Sequence, residues 1–364
     1  MSHLNSRVGC YKTNILAIIA VTLIFSACSG NSKGQNHGLG TTKILTFPSP
    51  NRALITLQAS SAVVPVDLDN MSVQAPIDLA SAPLAIAKSP ENNLILVGEY
   101  GTASQVPLPH QVAEISWPSL NLREPINTSE QPAAISFIHG GKIALVATDA
   151  SEKLDEIDIK TGTVERSIST GAHAHALVTS QNGSIAFLAN FGAYMGKPGN
   201  SVIPVNLENF KVGRPIKVGT EPCDEAVTPN GKQVLVTVEG NNATTGYVVA
   251  IDVATLKAGK PIPIGPMPSG ITIDPNGKTA WVALDPPDIS HDAIVPLDLS
   301  NGKVGTPIPV GDEPWKIAIT ANGSTAYVVD AGSGELVKVD LESRKVVDSV
   351  EVGPQPHGIV LLAK

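Results

Sequence analysis

Aromatic residues make up only 4% of this chain and charged residues only 16%. With so few rings and no cluster of Lys or Arg, the sequence has neither a stacking platform nor a basic patch. A net charge of −8 adds to this, and a nucleic-acid partner is excluded. There are three cysteines, too few for a disulfide framework. Several chemical signatures are missing as well: a Gly-rich phosphate cradle, a His-Glu-x-x-His helix, a Gly-x-Ser-x-Gly elbow and a haem Cys-x-x-Cys-His. No cofactor is expected on that account. Helical spacing is absent after the N-terminal segment, so the body of the chain must be built from something else.

What is present is repetition. A short apolar run ending in an acid, amide or hydroxyl residue recurs at Asp67, Ser116, Asp158, Asn206, Asp252, Asp298 and Asp340, about 42 to 49 residues apart. A turn precedes each run, and its last four copies are Gln-Asn-Gly or Xaa-Asn-Gly sequences around Gly183, Gly231, Gly277 and Gly323. Asn-Gly supplies the positive backbone angles of a tight hairpin. The runs are β-branched, about five residues long and bounded by Gly, Pro, Asn and Asp, so they read as strands. Four strands per unit and seven units predict an all-β protein: a seven-bladed β-propeller of four-stranded antiparallel blades. The segment 352–363 restarts the unit, and it is expected to pair with the N-terminal strands and latch the ring. The run 43–47 is the competing occupant of that first-strand position.

The pattern I-x-V-G-x-x-P-x-x-I-A-I-T-P-x-G-x-x-A-Y-V-x-N, followed by an I-D strand, resembles the YVTN-type β-propeller repeat of prokaryotic surface and secreted proteins. The resemblance covers residues 43–364, is strongest in the last four units and is blurred around 99–117. It implies the fold, but the family is functionally mixed and implies no single activity.

The N-terminus reads as an address. Arg7 and Lys12 precede an apolar run from Ile15 to Phe25, about the length of a signal-peptide core and short for a bilayer span. It ends in Phe-Ser-Ala-Cys, which resembles the bacterial lipobox, with Phe25 where Leu is usual. The expected organisation is a signal peptide over 1–27, a lipidated Cys28 opening a flexible tether over 28–42, and the propeller over 43–364. The location is then extracytoplasmic, with a lipid anchor in the membrane and the protein monomeric. Cys10 leaves with the signal peptide and Cys28 carries lipid, so Cys223 is expected to stand alone.

In a propeller the first strand of each blade lines the central channel, so the residues entering it form a rim at the channel mouth. Around the ring these are Leu84, Ala133, His175, Cys223, Ser269, Trp315 and His357, followed by Ala85, Ala134, Ala176, Asp224, Gly270, Lys316 and Gly358. The framework repeats and this rim does not, so function should sit there. The chosen binding residues are His173, His175, Cys223, Asp224, Trp315, Lys316 and His357. No catalytic residue is assigned. Imidazoles and a thiol would suit copper or zinc, making His175, Cys223 and His357 the metal candidates. The bland alternative is that both histidines hydrogen-bond backbone. The strand-ending acids repeat in most blades and read as turn caps. The loops 191–201, 239–247 and 285–292 are unequal and read as a recognition surface, with a cation near Asp288, His291 and Asp292 as a minor alternative.

Three functional readings follow. The leading one is a non-enzymatic envelope lipoprotein that binds an envelope protein or a surface polymer. The second is an enzyme resembling the propeller lactonases or the virginiamycin B lyase, although Asp224 is the sole carboxylate among the fourteen rim positions. The third is a metal-binding or redox accessory protein using His173, His175, Cys223 and His357.

Overall fold

The computed structural model describes residues 51–102, 105–192, 198–240, 244–286 and 292–362. The signal peptide, Cys28, the tether, the run 43–47, Asp288 and His291 lie outside the described residues. Within them the chain forms seven antiparallel sheets arranged as blades. The blades occupy 52–78, 83–127, 132–169, 174–217, 222–265, 268–309 and 314–351. The last is the plainest: Pro314–Ile319, Thr325–Asp330, Glu335–Asp340 and Lys345–Glu351 run from channel to rim. The C-terminal strand Pro356–Leu362 pairs with Arg52–Leu57, placing Ile359 opposite Ile55. It thereby supplies the innermost strand of the first blade, and the ring closes at seven.

The repeat explains the local geometry. Gly183, Gly231, Gly277 and Gly323 each follow an Asn and hold φ between 67° and 73°, the left-handed region that a side chain resists. The strand-ending acids cap the next turn. Asp158 accepts from the backbone N–H of Thr161, Asn206 from Asn209, Asp252 from Thr255, Asp298 from Ser300 and Asp340 from Ser343. Hydrogen bonds from Thr255, Ser300 and Ser343 hold the Asp252, Asp298 and Asp340 carboxyls below the ordinary range. The turn-cap reading is therefore correct.

Seven apolar clusters fill the seven interfaces between adjacent blades. One joins Leu145 and Leu154 of the third blade to Leu177 and Leu188 of the fourth; another joins Val329 and Leu336 of the last to Ile55 and Val64 of the first. The clusters are mostly branched aliphatics, with Phe187, Trp281 and Tyr327 among the few rings between blades.

The outer edges are blunted in two ways. Pro76, Pro125, Pro215, Pro261 and Pro307 interrupt the outermost strand of five blades. Blades three and seven have Ser167 and Ser349 at the matching place and keep full-length outer strands, but each carries a bulge, between Glu156 and Ile157 on one ladder and Lys338 and Val339 on the other.

Candidate functional site at the channel mouth

The entering ends of the first strands converge on a small recess. Its wall includes Leu84, His175, Cys223, Ser269, Trp315 and His357, together with Asp224, Gly270 and Lys316 from the following positions. Six of the seven variable rim residues thus meet at one place; Ala133 does not join them.

One ion pair spans the recess. Lys316 Nζ lies 2.6 Å from Asp224 Oδ1, and the other Asp224 oxygen accepts the Ile271 N–H at 2.9 Å. The Asp224 backbone is held in turn. Its N–H donates to Thr237 Oγ1 at 3.0 Å, and that hydroxyl donates to the Ser269 carbonyl at 2.7 Å. Ser269 Oγ donates to the Pro314 carbonyl at 2.6 Å. Blades five, six and seven are stitched together directly beneath the pair.

Each recess histidine leans on an aromatic ring. His357 meets Trp315 at 4.7 Å between centroids, tilted by 34°, and His175 stacks on Phe191 at 4.2 Å with planes 4° apart. Burial lowers both imidazoles, with Lys316 adding to the effect: His175 to about 4 and His357 to about 3. Both are neutral at pH 7. Beside Asp224, burial and then the Asp224 charge push the Glu225 carboxyl well above its ordinary value.

His173 does not line the recess. Its Nδ1 faces Asp149 Oδ1 at 2.9 Å and its Nε2 faces Glu152 Oε1 at 3.1 Å. Cys223 does line it, but as half of a disulfide, so the expectation of a lone thiol is corrected. Among the described residues, no three His, Cys, Asp or Glu side chains come together as a metal-binding set. With both His173 nitrogens engaged, the residues present do not fit the copper or zinc site that the third reading requires. Asp292 serves structure: its Oδ2 accepts the Glu313 N–H at 3.2 Å.

Sequence reasoning missed Thr237, Phe191 and the Tyr100–Asp149 contact. Thr237 was the most accessible of these, because it stands where Thr56 stands in the first blade. Thr56 Oγ1 makes the same kind of staple, donating to the Leu84 carbonyl and accepting the Gly358 N–H.

No family model matches this sequence. No curated protein matches it either. Solved structures do. The periplasmic gluconolactonase PpgL of Pseudomonas aeruginosa superposes with a TM-score of 0.68 at 16% identity, covering 86% of this chain and 99% of that one. A provisionally assigned 6-phosphogluconolactonase from Bacteroides uniformis gives 0.67 at 14%, covering 86% and 100%. Hydrazine synthase of Kuenenia stuttgartiensis gives 0.67 at 15%, covering 78% and 95%. Likeness at this identity establishes the seven-bladed β-propeller and nothing of the chemistry.

Proposed function

We propose that the channel mouth binds an uncharged sugar lactone and hydrolyses it. The observation that carries this reading is the Lys316–Asp224 pair set between two neutral imidazoles and an indole in one recess. Trp315 offers an apolar face to a sugar ring, and the Lys316 ammonium has N–H groups beyond the one given to Asp224. In this reading a water attacks the lactone carbonyl carbon and its proton passes to the His357 imidazole. Lys316 stabilises the oxyanion that forms. The ring C–O bond then breaks, the leaving oxygen takes the proton back from His357, and an open-chain acid departs. An imidazole held at about 3 is a weak base. The acceleration is accordingly modest, and lactones, which also open unaided in water, require little.

Charge argues for a neutral substrate. Lys316 is already paired and both histidines are uncharged, so among the described residues a phosphorylated lactone would bring a dianion to a wall whose one cation is engaged. Two observed likenesses to lactonases, one of them periplasmic, support the reading without carrying it. The sequence-based address fits it too: an exported protein would meet sugar lactones outside the cytoplasm.

The test is a pH-stat assay with glucono-1,5-lactone and its 6-phosphate, measured against spontaneous hydrolysis. Turnover of the neutral lactone that is lost in Lys316→Met is the expected result. Saturable binding of the lactone without turnover would overturn the hydrolytic step and return the protein to the non-enzymatic binding reading. That second reading has its own support, since Asp224, the recess carboxylate, is committed to Lys316 and leaves no strong base.

A further inference from the structure

His173 and His175 are separated by one residue, yet their rings face different surroundings. The His173 ring lies between two carboxylates of the third blade, Asp149 and Glu152, at 2.9 Å and 3.1 Å from its two nitrogens. Asp149 is itself buried, and its second oxygen accepts the Tyr100 hydroxyl of the second blade at 2.5 Å. Three consecutive blades therefore meet at one carboxylate.

The geometry dictates a protonation state. Ionised carboxylates only accept hydrogen bonds. A neutral imidazole carries one N–H, so it would satisfy one contact and set a lone pair against an oxygen at the other. Only the imidazolium presents an N–H to each carboxylate, as a hydrogen bond to Asp149 and a charge contact with Glu152. The hydrogen bond to Asp149 and the charges of Asp149 and Glu152 accordingly raise the His173 pKa above 6.5. Burial alone would raise the Asp149 carboxyl, but the hydrogen bonds from His173 and Tyr100 outweigh it and hold that carboxyl below 3.8. Beyond these partners, the other titratable group near the clasp is His175, which feels both Asp149 and His173.

The backbone of His173 also carries the recess wall. Its N–H donates to Asn190 Oδ1 at 3.2 Å, and its carbonyl accepts the Phe191 N–H at 3.1 Å. Phe191 is the ring on which His175 stacks. A shift at His173 is therefore passed to both members of that stack.

We infer that His173 is a proton-gated positioning residue: as an imidazolium it clasps blades two, three and four and fixes the Phe191–His175 stack at the recess. What the recess does rests on the proposed function; the clasp does not. Its contribution is complete below pH 6.5 and is lost as pH rises through the folded-state pKa of His173.

The experiment follows the imidazole resonances of the full-length protein, labelled with nitrogen-15 histidine, from pH 5 to pH 9. His173 should titrate above 6.5 with both nitrogens protonated on the acid side, and the His175 signals should move in step with it. The stability difference between the wild type and His173→Gln should shrink from pH 6.5 to pH 9. Asp149→Asn should lower the His173 titration point. His175 signals that stay fixed while His173 titrates would overturn the inference, as would an unchanged stability profile in His173→Gln. If lactone turnover is measurable, its kcat should decline over the same alkaline range in the wild type, with KM little changed. A protein without turnover removes only this last measurement, and the resonance and stability readouts still decide the clasp.

Discussion

Lys316 and Asp224 stand 92 positions apart in sequence and 2.6 Å apart in space, joining the seventh blade to the fifth across the channel mouth. Neither is a repeat residue. The blades bring them together because each occupies the second rim position of its own first strand, and a ring converts equivalent positions into neighbours around one axis. The pair is asymmetrically exposed: the Lys316 side chain is 34% accessible and the Asp224 side chain 8%.

Replacing Lys316 with Met should therefore cost more than a surface ion pair would. The substitution keeps the aliphatic stem but leaves a buried carboxylate with only the Ile271 N–H. A fully buried orphan would cost about 3–5 kcal/mol. Screening at the partly exposed lysine reduces this, and a loss of about 1–3 kcal/mol in urea unfolding is expected. Asp224→Asn combined with Lys316→Met should recover part of it. If the single variant matches the wild type, the pair contributes nothing to stability.

The His175 and His357 contributions to stability should weaken in acid. His175 and His357 stay neutral in the fold down to about 4 and about 3, whereas in the unfolded chain they bind protons below 6.5. At these two rings the unfolded state thus binds more protons, and their contribution falls as pH drops from 6.5 towards 4; Asp330, raised to about 8 by burial, and Glu225, raised in the same way, act in the opposite sense. Two full protons would give about 2.7 kcal/mol per pH unit. Measured as the difference between wild type and His357→Phe in chemical denaturation at stepped pH, one ring should give a slope of about 1 kcal/mol per unit. That variant keeps a ring against Trp315.

The fold was legible because a repeat states its own geometry seven times. Asn-Gly turns and Asp-capped strand ends satisfy local backbone requirements, so their meaning does not depend on distant partners. The rim was legible by subtraction: aligning the units isolated His175, Asp224, Trp315, Lys316 and His357, and the ring geometry did the rest. The direction of a side chain was not. His173 precedes the strand Ala174–Thr179 and His175 lies within it, and nothing in Thr-Gly-Ala-His-Ala-His says that one ring turns to Asp149 and the other to Phe191. That choice is made by a carboxylate 24 positions upstream, reached through packing between blades. The state of Cys223 was likewise hidden, because counting cysteines gives possible pairings and not the pairing itself.

Thr237 should prove more important than its small polar side chain suggests. Its hydroxyl accepts the Asp224 N–H and donates to the Ser269 carbonyl, and it is fully buried. Val has the same shape without the donor or acceptor, so Thr237→Val should leave two buried backbone groups unsatisfied. A loss of about 1–3 kcal/mol is expected from equilibrium unfolding. Thr237→Ser, which keeps the hydroxyl, should restore most of it; equal losses in both variants would assign the effect to packing instead.

Gly270 should tolerate no side chain, and the reason lies in the next blade. A Cβ placed on it would sit 2.1 Å from the Trp315 carbonyl oxygen and 3.0 Å from the carbonyl carbon, both backbone atoms. Backbone cannot swing aside as a side chain can, so the first strands of blades six and seven would have to separate at the recess. Gly358 repeats the situation, with the Leu84 carbonyl oxygen 2.8 Å from its Cβ position. Gly270→Ala should therefore destabilise by roughly 1–3 kcal/mol, the range for overpacking a tight interior. It should also displace Trp315 and Lys316 together, which tryptophan fluorescence will report as a shifted emission maximum. Gly259→Ala is the control, because its Cβ would approach a backbone oxygen only to 3.3 Å. Gly270→Ala with wild-type stability and emission would mean that the strands part more easily than their close approach implies.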